Sequence, residues 1–189
     1  MIEIRLGPGE HALVGYGSLL SVASMERTLG QTYRGPWHVV RVRGWRRGWD
    51  VQMPTSTWKY HDGTRFVTPE RVLYLNVRPT ADQSINCSLF VITAAELAAF
   101  DQREWIYSRV DANAVIENVR IIGGTAWLYV ARDEYLWRKS SRPPEAIIRR
   151  TYLDILDRAH AELGDAFQRE YDATTDAVPM HLVVDDVPS

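Results

Sequence analysis

The stretch ALVGYGSLLS, residues 12–21, decides how this 189-residue chain is read. An apolar run ends in Gly-Tyr-Gly-Ser-Leu and passes into a segment with helical spacing. Two glycines, a tyrosine and a serine therefore stand where a strand hands over to a helix. A dinucleotide-binding turn requires G-x-G-x-x-G, but the third position after Gly15 and Gly17 is Leu20. A P-loop closes with Gly-Lys-Ser/Thr, and no lysine is near. A nucleophile elbow requires G-x-S-x-G, whereas Ser18 precedes Leu19 and Leu20. What remains is a backbone device. Glycine admits φ/ψ values closed to other residues, so consecutive N–H groups can converge on one point. Such a nest holds a carboxylate or a developing oxyanion without a charged side chain. The same residues also read as a tight strand–helix turn with Tyr16 in the core, and spacing alone favours that turn.

Outward from that stretch, residues 11–16 read as a first strand, and Ser21 or Ser24 caps a short helix that stops at Gly30. Residues 37–43 (WHVVRVR) read as a strand, and 46–69 as a long, aromatic-rich irregular segment. Strands are expected at 70–77 and 86–92, with Pro79-Thr-Ala-Asp82 as the turn between them. Thr93-Ala-Ala-Glu96 has capping-box spacing ahead of a helix that presents Leu97 and Phe100 and ends near Arg103-Glu104. Strands at 106–111, 113–121 and 124–131 follow, the last two joined through Gly123-Gly124 as a tight turn. Pro143-Pro144 introduces the longest helix, 145–163, with Ile148, Tyr152, Ile155, Leu156, Ala159 and Leu163 on one face and Gly164 beyond its end. A short helix over 165–171 and an extended tail over 173–189 close the chain. This succession predicts a single mixed α+β domain over 1–189 with its core in about 10–172. Its expected form is a small barrel or curled sheet of five to seven strands flanked by three or four helices.

Composition narrows the function classes. A net charge of −2 gives no broad cationic field for nucleic acid. No apolar run approaches the ~20 residues that cross a bilayer, and the opening MIEIRLGPGEH lacks the apolar core of a signal peptide. Cys87 is the single cysteine, so an internal disulfide is ruled out and cytoplasmic residence is expected. Its place in a strand pattern reads as a buried, inert thiol. The five histidines are scattered without H-x-x-x-H or H-E-x-x-H spacing, so no metal site is predicted. Seven tryptophans and nine tyrosines supply core area and, in part, a pocket lining.

A second segment, DQREWIYSR at 101–109, places Glu104 at a helix end beside Trp105 and Tyr107. A carboxylate among aromatics has its pKa raised, which suits a general base near neutral pH. Taken alone, Glu104 reads rather as a solvated member of a surface Arg103/Glu104 run.

Three motifs taken together resemble the γ-glutamylcyclotransferase family, including its AIG2-like members: Tyr16-Gly17-Ser18-Leu19, Asp101-Gln-Arg-Glu104 and Tyr107-Ser-Arg109. AWLYVA (126–131) and YLDILDRAHAELGDAF (152–167) are similar to the family's last strand and closing helix, so the resemblance covers most of 10–172. It implies a γ-glutamylcyclotransferase-like fold and an enzyme that cyclises a γ-glutamyl group to 5-oxoproline, releasing an amine or amino acid without a cofactor. It implies Glu104 as general acid/base, with Tyr16, Gly17, Ser18 and Leu19 holding the head group. Tyr107 and Arg109 follow as further substrate-binding residues, Arg109 reading equally as a structural ion-pair partner. Tyr129 belongs to either pocket or core. The expected partner is a small-molecule γ-glutamyl substrate, with no nucleic acid and no membrane. The chain departs from the family in two places. Trp105 stands where many members have glycine, narrowing the site or reshaping its turn, and the aromatic 46–69 segment has no counterpart. That segment favours a bulky or apolar leaving group. Two other readings remain: a non-catalytic binding module for a γ-glutamyl or small carboxylate ligand in the same pocket, and an interaction protein using exposed tryptophans of 45–60.

Overall fold

A computed structural model of the chain describes residues 1–54, 57–137 and 146–188. Its first half runs β1 (Ile2–Arg5), β2 (Glu10–Gly15), α1 (Val22–Leu29), β3 (Trp37–Pro54), β4 (Trp58–His61), β5 (Phe66–Val67), β6 (Arg71–Thr93) and α2 (Ala94–Arg103). The second half runs β7 (Tyr107–Asp111), β8 (Val119–Ile122), β9 (Ala126–Ala131), β10 (Ala146–Arg149), α3 (Arg150–Leu163), α4 (Asp165–Ala173), β11 (Val183–Val184) and β12 (Asp186–Pro188). Among the described residues the main sheet has seven strands, in the order β11-β10-β6-β2-β9-β7 with β3 also paired to β6. Mixed α+β architecture, with four helices among the described residues, is therefore observed. No helix among the described residues is long and apolar enough to cross a membrane.

β2 lies in the middle of this sheet, and its Ala12, Leu13 and Val14 are fully buried. Alternation along the strand sends them to opposite faces. Ala12 and Val14 join a cluster with Leu73, Leu75, Leu89 and the helix residues Tyr152, Leu156 and Phe167. Leu13 joins a second cluster with Phe90, Met25, Leu97 and Phe100. A strand covered on both faces has no polar side, which is why 12–14 reads as a continuous apolar run. Helices α1 and α2 cover the second face. Gly30 ends α1 in the left-handed conformation (φ 66°), and Thr93 and Glu96 complete a capping box at the start of α2.

Several element boundaries differ from the sequence expectation. Residues 46–54 are not irregular: β3 continues through them, paired antiparallel with β6 from Trp37↔Phe90 to Pro54↔Arg71. Register shifts after Arg43 and after Gly48 bend this long ribbon, and they break the alternation that a flat strand would show. Pro79-Thr-Ala-Asp82 makes no reversal either. β6 runs through it, the surplus residues are absorbed at the first register shift, and Asp82 takes a left-handed φ of 59°. Residues 113–118 are not strand, and Gly123-Gly124 closes no hairpin, because β8 pairs in parallel with β1 rather than with β9. β1 is a strand that the sequence reading left unassigned. Residues 146–149 form β10, parallel to β6 and β11, so the long helix starts at Arg150 and Ile148 belongs to the sheet. The proposed Pro143-Pro144 helix start lies outside the described residues. The chain ends in β12, which pairs antiparallel with β4.

Candidate functional site

Sheet register brings the two sequence motifs together. β9 runs parallel to β2, with Ala12 opposite Ala126 and Val14 opposite Leu128. β7 runs antiparallel to β9, with its first residue Tyr107 opposite the last, Ala131. The start of β7 therefore lies at the same end of the sheet as the close of β2. Glu104, the cap residue of α2 just before β7, faces the loop that leaves β2 at Gly15. Residues 15–19, Glu104, Tyr107, Tyr129 and Tyr152 line one cavity of about 30 Å³. An outer cavity of about 290 Å³ shares Ser18, Glu104, Tyr107 and Tyr152 with it.

The two glycines now have separate reasons. At Gly15 a Cβ would overlap the carbonyl of Leu19, because residues 18–20 form one turn of 3₁₀ helix that folds back on the strand end. At Gly17 a Cβ would come within 2.8 Å of the Tyr152 hydroxyl, so its absence lets α3 approach the loop. Tyr16 is a core residue. Its hydroxyl donates to the Tyr129 carbonyl (2.9 Å), and its own carbonyl accepts from Tyr171 (3.0 Å). The turn and the cavity wall are thus the same loop, held by the Tyr16 hydroxyl and carbonyl.

Glu104 carries the single carboxylate of the wall. Its side chain is 14% exposed and sits 3.0 Å from Arg103 Nε. Burial pushes its pKa above the ordinary carboxylate value, and the Arg103 guanidinium opposes that rise. Arg103 also donates through Nη2 to Ser18 Oγ (2.7 Å) and Ser24 Oγ (3.0 Å), and through Nη1 to Ser24 O (3.0 Å) and Thr28 Oγ1 (2.6 Å). One guanidinium therefore fixes the carboxylate, the loop serine and the start of α1 relative to each other. Sequence reading passed over Arg103 as part of a charged run, though it lies inside the D-x-x-E motif. Tyr152 reads in the sequence only as an apolar helix position, since nothing local reveals that α3 reaches the loop.

The phenols around Glu104 are held neutral. Burial first, and then the negative charge of Glu104 and neighbouring phenols, raises Tyr16 and Tyr107 well above the ordinary phenol value. Burial raises Tyr152 and Tyr129 as well. Tyr107, which lines the cavity, donates its proton to the Leu75 carbonyl (2.8 Å), so toward a further partner its oxygen can only accept. Tyr129 serves both roles left open for it, core residue and cavity wall, with its hydroxyl on Asp101 Oδ1 (2.8 Å). Arg109 takes the structural role. It pairs with Asp101 Oδ1 (3.1 Å), lies over the Trp127 ring, and is not among the residues that line either cavity. Trp105 does not narrow the site: it is 42% exposed and packs edge-on against Tyr135 outside both cavities. Nor do the tryptophans of 45–60 offer an exposed face. Trp49 is buried, Trp45 packs against the core, and Trp58 lines the outer cavity.

No protein-family model and no curated protein sequence matches the chain. Solved structures do. One described as gamma-glutamyl cyclotransferase superposes with a TM-score of 0.54 at 12% identity, covering 90% of this chain and 91% of that one. A Homo sapiens structure, described as uncharacterized protein loc79017, superposes with a TM-score of 0.56 at 13% identity, covering 92% of this chain and 96% of that one. These likenesses establish a γ-glutamylcyclotransferase-like fold over nearly the whole chain.

Proposed function

We propose that the protein is a γ-glutamylcyclotransferase-like enzyme acting on a γ-glutamyl amide. The observation that carries this reading is that Glu104, a largely buried carboxylate, shares one cavity with residues 16–19 of the loop. Backbone N–H groups of Tyr16 to Leu19 take the anionic end of the γ-glutamyl head group or the developing oxyanion. Ser18 Oγ accepts from Arg103, so its own proton is directed to the substrate. The lone pairs of Tyr107 accept from the substrate's α-amino group. Glu104 removes a proton from that amine, whose nitrogen attacks the γ-carbonyl carbon and closes a five-membered ring. The C–N bond to the leaving group breaks as Glu104 returns the proton to the departing nitrogen, and 5-oxoproline is released. Nucleophile and electrophile belong to one molecule, so the protein's work is to hold the cyclising conformer and to move one proton.

Glu104→Gln tests this directly. General acid–base catalysis contributes roughly 10²–10⁴-fold, and 5-oxoproline release from a γ-glutamyl panel is expected to fall by about that factor while the circular dichroism spectrum and Tm stay native. Undiminished release from the folded variant would remove the proposed base. A panel in which ligands bind but none is turned over would favour the non-catalytic binding module instead.

A further inference from the structure

We infer that the outer cavity is the leaving-group subsite and takes a group that carries a carboxylate beside a large apolar or aromatic body, with Arg149 as the cation that reads the carboxylate. This rests on the cyclisation reading above. Because the outer cavity shares Ser18, Glu104, Tyr107 and Tyr152 with the inner one, whatever departs from the γ-carbonyl lies there. Its wall is otherwise apolar and aromatic, from Met53, Trp58, Tyr74, Ile106 and Ile155. Among the described residues two cations line it, Arg103 and Arg149. Arg103 has no donor to spare, since its contacts with Glu104, Ser18, Ser24 and Thr28 engage Nε and both Nη groups.

Arg149 differs. Its side chain is nine-tenths buried, at 10% exposure, its guanidinium lies 3.9 Å above the Trp58 ring, and it is also hydrogen-bonded to the Tyr74 side chain. Its Nε finds no acceptor among the described residues. Nη1 reaches Asp186 Oδ2 at 3.5 Å and Thr151 Oγ1 at 3.4 Å, both long for hydrogen bonds. The Asp186 carboxylate, paired with Arg149, is also engaged by Thr151 through N (2.9 Å) and Oγ1 (2.6 Å) and is closed off from solvent. A buried N–H without an acceptor is costly, and an incoming carboxylate supplies one in the plane of the fork while Trp58 stacks on its face. A cationic leaving group meets the same guanidinium as repulsion.

The probes are γ-glutamylphenylalanine, γ-glutamylphenethylamine, which lacks only the carboxylate, and γ-glutamylglycine, which lacks the apolar body. Titration calorimetry on the Glu104→Gln protein reads binding without turnover. γ-Glutamylphenylalanine is expected to bind roughly 10- to 100-fold tighter than the phenethylamine conjugate, the range for a hydrogen bond to a charged group, and tighter than γ-glutamylglycine. Adding Arg149→Gln together with Asp186→Asn, which removes both charges of the pair, is expected to erase the preference for the carboxylate. Equal binding of the first two probes, binding of none, or a preference that survives in the double replacement overturns the inference. If that variant fails to fold, the comparison of probes on the protein with Arg149 intact still decides. 5-Oxoproline release by the unsubstituted protein is read in parallel. Carboxylate-selective binding without release overturns the cyclisation reading alone, whereas release with no selectivity overturns the subsite alone.

Discussion

Glu104 and Arg103 form the pair on which the chemistry turns, and they pull on one pKa in opposite directions. Burial raises the carboxyl and the guanidinium lowers it. A general base works only when ionised, so turnover is expected to rise with pH through the pKa of Glu104. Replacing Arg103 by Met removes the opposing cation and lets burial act alone. The acid limb of the kcat/KM profile should then move to higher pH. Arg103→Lys retains the charge and should leave the limb close to its original place. It loses the forked contacts to Ser18, Ser24 and Thr28, so its rate should fall. A limb that stays put in Arg103→Met would mean that the guanidinium does not set the protonation of Glu104.

At the level of elements, the strand–loop–helix connection is shaped by what cannot be added to it. Gly15 has no room for a Cβ against the Leu19 carbonyl, and backbone on both sides leaves little to give. Gly15→Ala is therefore expected to cost about 1–3 kcal/mol, as overpacking does, seen as a lower Tm and weaker binding of any γ-glutamyl probe. A native Tm would deny the close approach. The capping box at Thr93-Ala-Ala-Glu96 illustrates the opposite case, an element end announced locally: side chain and backbone three residues apart satisfy each other. Such short-range signals are why α1 and α2 were legible in the sequence. β3 and β6 are legible only in part, at 37–43, 70–77 and 86–92, because register shifts at Gly44 and Gly48 interrupt their alternation while the pairing continues across the sheet.

Over the whole molecule, Arg47 joins parts that are distant in sequence. Fully buried, it donates to Asn86 Oδ1 (2.9 Å) and Thr174 Oγ1 (2.8 Å), and its guanidinium stacks 3.9 Å from the Tyr171 ring. β3, β6 and the segment after α4 are thus tied to one cation held by neutral acceptors, and Tyr171 in turn donates to the loop carbonyl of Tyr16. Arg47→Met fills some of the space but leaves those acceptors unsatisfied. A loss of about 2–4 kcal/mol is expected, combining a lost charged hydrogen bond with imperfect packing, and chemical denaturation would read it as a lower midpoint. An unchanged midpoint would mean that the tie contributes nothing to the fold.

Tyr16-Gly17-Ser18-Leu19 and the D-x-x-E segment were determined by the sequence itself, together with α1, α2 and the mixed α+β class, because caps, glycines and apolar periodicity act over a few residues. Tertiary structure alone decided that Arg103 serves both Glu104 and Ser18, that Arg109 belongs to Asp101, and that Trp58, Tyr74 and Arg149 enclose an outer cavity. These facts depend on which strands pair and in which direction. Strand pairing is settled by burial and hydrogen bonding between segments far apart in the chain, and no local pattern encodes it.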